Sequence, residues 1–127
     1  MTERKIISTN NAPKAIGPYS QALLVGNTLY ISGQIGIEPS TGKLVEGSTA
    51  EQTTQALENV KAILATADMQ LKHVVQVQVF LADIADFTEM NKVYASYFAG
   101  DFPTRAAFQA ANLPAGAKVE ILTTAIK

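Results

Sequence analysis

The sequence predicts an α+β fold in which one mixed sheet is covered on one face by two helices. Two segments, 48–68 and 86–98, repeat apolar residues every three or four positions, which is the pattern of amphipathic helices. Short strand-like segments surround them and give the order ββαβαββ. The 127 residues suit a single domain, 1–127, and a hydrophobic fraction of 47% is enough for a core.

The first predicted strands, Gln21–Val25 and Thr28–Ser32, are joined by Gly26-Asn27. A glycine at the first position of a two-residue loop suits a type II′ hairpin turn, so we expect these strands to pair. An additional strand is possible at Lys5–Ser8 or near Leu44.

Each predicted helix begins with a polar residue that is followed, three positions later, by glutamate. Ser48 and Glu51 have the spacing of a capping box, and Asp86 and Glu89 repeat it. We therefore expect the first helix to begin at Ser48 and to end near Asp68.

The segment 75–81 alternates in the manner of a strand. We expect its valines and Leu81 to face the helices. Gln76, Gln78 and Phe80 then lie on the opposite side of the strand, which is half-polar. That side could be solvated, but the exposed area would be large. We therefore expect it to pack against other subunits.

Two final strands are predicted at about 104–110 and 118–126, paired as an antiparallel hairpin. If Ala106 and Phe108 face the helices together with Val119 and Ile121, the register is fixed. Arg105 and Glu120 then project from the same face as diagonal neighbours, with β-carbons about 7 Å apart. This pair could be a structural ion pair, or an anion site with a carboxylate that polarises water.

The composition excludes several function classes. The net charge is −1, with 10 basic residues and no basic stripe, so we expect no nucleic-acid partner. No long apolar run or secretory signal is present, so we expect a cytoplasmic location without membrane attachment. There is no cysteine and one histidine, His73, which excludes disulfides, thiolate nucleophiles and zinc sites built from several histidines. We expect His73 to be a structural or surface residue rather than a catalytic one.

The motifs GPYSQ, SGQ, PTR and VEI identify the sequence as similar to a known family, the Rid family, also called YjgF or RidA-like. The similarity runs nearly from end to end in the segments AIGPYSQA (15–22), LYISGQIG (29–36), LENVKAIL (57–64), VFLADIADF (79–87), MNKVYASYF (90–98), FPTRAAF (102–108) and LPAGAKVEI (113–121). Each motif alone would be weak, whereas the combination in family order is specific.

The resemblance implies a chorismate-mutase-like fold and a homotrimer in which the sheets form a barrel-like core. It implies active sites between neighbouring subunits and no cofactor or metal. The implied activity is hydrolysis of reactive enamines and imines, such as 2-aminoacrylate released by pyridoxal-phosphate enzymes, to 2-keto acids and ammonia.

The resemblance also assigns site residues. Arg105, in PTR, matches the arginine that binds the substrate carboxylate, and Glu120, in VEI, matches the acid that positions the hydrolytic water. Tyr19, in GPYSQ, and Ser32, in SGQ, match residues that line the site.

Two further substrate-binding positions, Asn91 and Ala107, are assigned in the same way. Asn91 matches a helix asparagine, and whether it serves its own subunit or the adjoining one stays open. Ala107 stands where many relatives have cysteine. We expect contact through its backbone groups, so that alanine is compatible.

Two other functions compete with deamination. A non-catalytic ligand-binding trimer of the same fold is one, and the presence of Arg105 argues against it. The other is a ribonuclease or translation inhibitor, a label often given to this family, which the pI of 5.7 and the two arginines support poorly. Tyr94 and Tyr97, at helical spacing, are expected to pack in the core.

Overall fold

The computed structural model describes residues 3–127. Met1 and Thr2, which the predicted domain 1–127 includes, lie outside the described residues. The eight strands are β1 (Arg4–Ile7), β2 (Ala22–Val25), β3 (Thr28–Ile35), β4 (Ile37–Glu38), β5 (Lys43–Leu44), β6 (Val74–Leu81), β7 (Thr104–Gln109) and β8 (Val119–Ile126). The two α-helices are α1 (Thr49–Thr66) and α2 (Phe87–Tyr97), and three short 3₁₀ turns lie between elements.

Six strands form one mixed sheet in the order β1-β2-β3-β8-β6-β7, and β4 pairs with β5 separately. Both additional strands left open from the sequence, near Lys5 and near Leu44, are therefore present. Both helices pack on one face of the sheet, and their buried residues belong to a single core with Leu29, Val79 and Ile121. The predicted α+β arrangement with two helices on one face is confirmed.

The start of α1 follows its predicted capping signal. The Glu51 carboxylate accepts hydrogen bonds from the Ser48 backbone N–H and, at 2.5 Å, from the Ser48 hydroxyl. These bonds lower the pKa of Glu51 below its usual value. The helix ends before Asp68, which has a left-handed φ of 58°.

The second capping signal has a different use. The Asp86 carboxylate makes no bond to the start of its own helix and instead accepts the Thr49 hydroxyl at 2.8 Å. The Glu89 carboxylate accepts the backbone N–H of Ala50 at 2.6 Å. Both acids therefore lie at the N-terminal end of α1, where the helix dipole favours negative charge. They tie the beginnings of the two helices together.

The prediction for the last two strands is wrong. β7 does not form a hairpin with β8: it pairs in parallel with β6, and β8 lies between β3 and β6. The physical reason is the helix α2 between β6 and β7, because a strand–helix–strand crossover produces parallel neighbours. The neighbours of β8 are therefore β3 and β6, both distant from it in sequence, and not β7.

The changed pairing also reverses the predicted face of β7. Arg105 lies opposite Val77, which is buried beneath the helices, so Arg105 and Ala107 face the helices. Glu120 lies opposite Phe80 on the uncovered face. Arg105 and Glu120 of one chain thus project from opposite faces of the sheet and are not diagonal neighbours.

The uncovered face of the sheet carries Gln76, Gln78 and Phe80, as predicted. It also presents large apolar side chains: Tyr30 is 52% exposed, Phe108 is 47% exposed and Leu122 is 36% exposed. Val75 joins this exposed set, contrary to prediction, because the pairing of β6 with β8 is irregular between Val74 and Gln76.

Asn59 on α1 fixes the chain where it leaves the sheet. Its side chain is buried, and its Nδ2 donates to the carbonyl oxygens of Ile35 at 3.2 Å and Ile37 at 2.9 Å. Its Oδ1 accepts from Gln55 at 2.9 Å. The amide therefore serves two carbonyl oxygens, one at the end of β3 and one at the start of β4.

Replacement of this amide should destabilise the protein. We expect Asn59→Ala to lower the free energy of unfolding by about 2–4 kcal/mol, since two carbonyls lose their donor in a buried place. Urea unfolding at fixed protein concentration measures this. Thr66→Ala, which removes an exposed bond to Ala62 within the same helix, is the control and should change stability by less than about 0.5 kcal/mol. An Asn59→Ala variant as stable as the wild type would contradict this account.

Candidate functional site

Arg105 lies on the helix-covered side of β7, beneath one stripe of α2. Its Nη1 donates to Asn91 Oδ1 at 2.5 Å. Its guanidinium carbon lies 4.7 Å from the ring centroid of Tyr94 and 5.5 Å from that of Phe87. Residues 87, 91 and 94 share one face of α2 because they are spaced by four and three positions. Asn91 thus accepts a hydrogen bond from the arginine of its own chain.

All three partners of the guanidinium are electrically neutral. Among residues 3–127 the only ion pair joins Lys61 and Glu58 on the surface of α1, at 3.6 Å. An Arg105–Glu120 ion pair within the chain is therefore excluded. Arginine has five N–H donors, and only one of those of Arg105 has an acceptor here. The half-buried cation retains donors and charge for an anionic ligand.

A cavity of about 390 Å³ opens beside this arginine. It is lined by Asn91, Tyr94, Ala95, Phe102, Pro103 and Arg105. The volume suits a small molecule. The lining combines one cation and one amide with apolar walls, so the cavity fits a small organic anion better than a hydrated inorganic ion.

Tyr19 and Ser32 lie together at a second cavity, of about 740 Å³, which also reaches Arg4, Tyr30 and Leu122. The Ser32 hydroxyl donates to the carbonyl of Ser20 at 2.6 Å, and the Tyr19 side chain is half exposed. This second cavity therefore borders the uncovered face of the sheet.

The loop that carries Tyr19 is held by Gln21, a buried residue of the GPYSQ motif. Its side chain accepts the backbone N–H of Thr9 at 2.7 Å and donates to the carbonyl of Pro13 at 2.7 Å. The glutamine thus satisfies the loop backbone from inside. Sequence reasoning assigned it no role, although its place in the motif was the available signal.

Glu120 lies on β8 beside Gly33 of β3. Gly33 belongs to the part of β3 where the pairing with β8 shifts, between Ile31 and Gln34. A β-carbon at Gly33 would collide with the Glu120 carboxylate, so glycine creates the space for it. Burial raises the pKa of Glu120 above its usual value. The SGQ motif therefore needs glycine at position 33 because any side chain there would occupy the space of the Glu120 carboxylate on the neighbouring strand.

The structure sorts the candidate residues into two groups. Arg105 and Asn91 lie together on the helix side, with Ala107 on the same face of β7 and packed against the core. Tyr19 and Ser32 lie on the other side, where Glu120 is also found. One chain therefore presents two partial sites and does not bring Arg105 to Glu120.

Tyr94 meets the expectation of core packing, and Tyr97, which is only partly buried, meets it in part. Tyr94 is buried in the core and packs against Phe98, with ring centroids 4.8 Å apart. The Tyr97 hydroxyl donates to Glu58 at 2.7 Å, so it too has a structural contact. His73 accepts the backbone N–H of Gln70 through Nδ1 at 2.9 Å. The stacking of Phe87 and Tyr94 on Arg105 was missed, although their spacing with Asn91 was visible in the sequence.

Residues 3–127 contain neither a cluster of metal ligands nor a membrane-spanning helix. No cluster of three or more histidine, aspartate or glutamate side chains is placed to hold a metal ion. Neither α-helix combines the length and the apolar character that are needed to span a lipid bilayer.

Curated proteins similar to this chain bear an enzyme name. A human protein named 2-iminobutanoate/2-iminopropanoate deaminase is 53% identical over 98% of this chain and 90% of its own length. The protein of the same name from Bos taurus is 54% identical over the same shares.

Solved structures share the fold at more than a third sequence identity. RidA from the Antarctic bacterium Psychrobacter is 45% identical, with a TM-score of 0.94 over 97% of this chain and 99% of that one. The structure of E. coli TdcF with bound serine is 39% identical, with a TM-score of 0.93 over 97% and 98%. The family model described as Endoribonuclease L-PSP matches residues 9–127. The chain belongs to this family, the Rid or RidA/YjgF-like proteins, as its motifs indicated.

Proposed function

We propose that this protein hydrolyses 2-imino acids and their enamine tautomers, such as 2-aminoacrylate, to 2-keto acids and ammonia. The observation that carries the proposal is Arg105, a half-buried cation with only neutral partners beside a cavity of about 390 Å³. Such a group binds a carboxylate. The name shared by the mammalian relatives supplies the chemistry, 2-iminobutanoate/2-iminopropanoate deamination.

Arg105 binds the substrate carboxylate through two N–H groups that Asn91 leaves free. This contact fixes the direction of the imine carbon, and the backbone near Ala107 lies two residues further along the same strand. Orientation of this kind lowers the barrier because the reacting atoms no longer search for each other.

Glu120 holds the attacking water. The enamine first tautomerises to the imine, and water then adds to the imine carbon to form a carbinolamine. Glu120 accepts a proton of that water and passes it to the nitrogen, which completes the neutral carbinolamine. A second proton then moves from the carbinolamine hydroxyl to the nitrogen through the same carboxylate, so that the carbon–nitrogen bond breaks, ammonia leaves and the 2-keto acid remains. General acid–base help of this kind contributes about 10²–10⁴ in rate. A carboxylate with a raised pKa is better matched to it than one with an ordinary value.

The complete site forms between subunits. Arg105 and Glu120 of one chain lie on opposite faces of the sheet, so the two side chains of a single protomer cannot contact the same substrate molecule. The uncovered apolar face offers a subunit contact through Tyr30, Phe108 and Leu122. We infer a homotrimer with these faces at its centre, in which Tyr19, Ser32 and Glu120 of one subunit approach Arg105 and Asn91 of the next. A cytoplasmic location and independence of cofactors belong to the same proposal.

Removal of the arginine should abolish activity without unfolding the chain. We expect Arg105→Ala to lower kcat/KM by at least about 100-fold, since two charge-assisted hydrogen bonds contribute about 1.5–3 kcal/mol each. Arg105→Lys should also be poor because a point charge loses the two-point geometry. Ammonia release from imine generated by a dehydratase measures the rate. Lys92→Ala, which removes an exposed cation from α2, is the control. Full activity in Arg105→Ala would contradict the proposal.

The raised pKa of Glu120 has a consequence for stability. The folded state binds the carboxyl proton of Glu120 more tightly than the unfolded state does. The protonated carboxyl therefore stabilises the fold fully below the usual carboxyl pKa, and this contribution is lost as the pH rises through the raised pKa of the folded state. Glu120→Gln should therefore be more stable than the wild type at neutral pH, with the difference shrinking in acid. Melting temperatures across that pH range test this. Glu46→Gln removes an exposed carboxylate and should show no comparable gain.

A shared site can be tested by mixing two inactive variants. When Arg105→Ala and Glu120→Gln chains are unfolded and refolded together, one intact site forms in every mixed trimer. We expect about one quarter of the wild-type activity from an equal mixture. Each variant refolded alone is the control. A mixture no more active than its components would place both groups of the site in one chain and contradict the proposal.

A further inference from the structure

We propose that Tyr94 is a positioning residue, whose ring holds the Arg105 guanidinium in the plane in which it receives a carboxylate. The inference deepens the proposed function and rests on it for the identity of the ligand. Tyr94 is assigned here through its contact with Arg105, and it does not take part in the bond changes.

Tyr94 and Asn91 contact the guanidinium in different ways, one through an aromatic ring and the other through a hydrogen bond. The Tyr94 ring centroid lies 4.7 Å from the guanidinium carbon, within the range of cation–π contacts. Asn91 Oδ1 accepts a hydrogen bond from Nη1 of Arg105 at 2.5 Å. A ring against the planar cation restrains its tilt and consumes no donor, whereas every additional hydrogen bond would occupy a group that the carboxylate needs. Stacking is thus the way to fix this arginine while leaving it free to bind.

Tyr94 is itself rigidly placed. Its side chain is only 3% exposed, and its ring packs against that of Phe98, with centroids 4.8 Å apart. It lies on α2 three residues after Asn91, so amide and ring reach the guanidinium from the same helix. The second ring, Phe87, is further away at 5.5 Å and only partly buried. Tyr94 is therefore the closer and the better fixed of the two.

The hydroxyl of Tyr94 distinguishes the role of the ring from that of a hydrogen bond. It is buried and has no hydrogen-bond partner among residues 3–127. Burial raises the pKa of Tyr94, which the charge of Arg105 opposes only in part, so the phenol stays neutral at physiological pH. The hydroxyl thus neither anchors the residue nor neutralises the arginine. What Arg105 meets is the aromatic face.

This distinction gives a matched pair of variants. Tyr94→Phe keeps the ring and removes an unpaired hydroxyl, whereas Tyr94→Leu removes the ring. We expect Tyr94→Leu to raise KM for the imine, and Kd for the product analogue 2-oxobutanoate, by about 3- to 30-fold. Because the carboxylate contact is made before and during the reaction and also orients the imine carbon, kcat should fall as well, but by a smaller factor than that by which KM rises. Tyr94→Phe should match the wild type in all three values.

A spectroscopic measurement tests the contact without any ligand. The chain has two arginines, Arg4 and Arg105, so the Nε–H signals in a nitrogen-15 spectrum are few, and Arg4→Lys assigns them. The Arg105 signal should carry a ring-current shift that persists in Tyr94→Phe and is lost in Tyr94→Leu. Circular dichroism checks that each variant is folded. If the leucine variant does not fold, Tyr94→Met takes its place, since methionine fills volume without an aromatic face.

The outcomes separate this inference from the proposed function. Unchanged KM, Kd and Arg105 signal in a folded variant without the ring would overturn the role of Tyr94, even if the wild type is a deaminase. Equal losses in the phenylalanine and leucine variants would assign the effect to the hydroxyl and overturn it as well. If the wild type binds 2-oxobutanoate but releases no ammonia, the proposed function fails, whereas weaker binding in Tyr94→Leu alone would still support the positioning role.

Discussion

The positive charge of Arg105, kept half-buried without a negative partner, is the constraint on which the rest of this structure depends. A cation in such a place needs neutral groups that hold it without cancelling it. The stripe of Phe87, Asn91 and Tyr94 on α2 supplies them. The crossover from β6 through α2 to β7 is what lays this stripe above the edge strand, so the fold and the site have the same origin.

The sheet separates the two halves of the chemistry. On the helix side it carries Arg105, the anion-binding group of the proposed mechanism, and on the other side Glu120, for which Gly33 makes room. A separation of this kind protects Arg105 from a permanent ion pair with its own Glu120. In the proposed mechanism, the substrate carboxylate therefore binds a guanidinium that has no acidic partner within its own chain.

Local sequence patterns predicted most elements, and long-range pairing was the part they could not give. The helix at Thr49–Thr66 and the turn at Gly26 follow from spacing and capping that act within a few residues. The error at β7 arose because consecutive strands were assumed to be neighbours, whereas the place of β8 beside β6 depends on the whole sheet. Arg105 and Glu120 were singled out from the strand pattern and Asn91 by resemblance, and only their three-dimensional placement revealed which of them are in contact. The aromatic stack escaped notice because apolar periodicity also explains Tyr94.

Asp86 and Glu89 connect α2 to α1 at a distance from the cavity beside Arg105. These two acids stand at the root of α2 but bind the first turn of α1. The two helices are therefore joined at their N-terminal ends, and the first turn of α1 supports the helix that carries the aromatic rings. We expect substitutions in that first turn to shift α2, and with it the rings that contact Arg105, while every residue that lines the cavity stays unchanged.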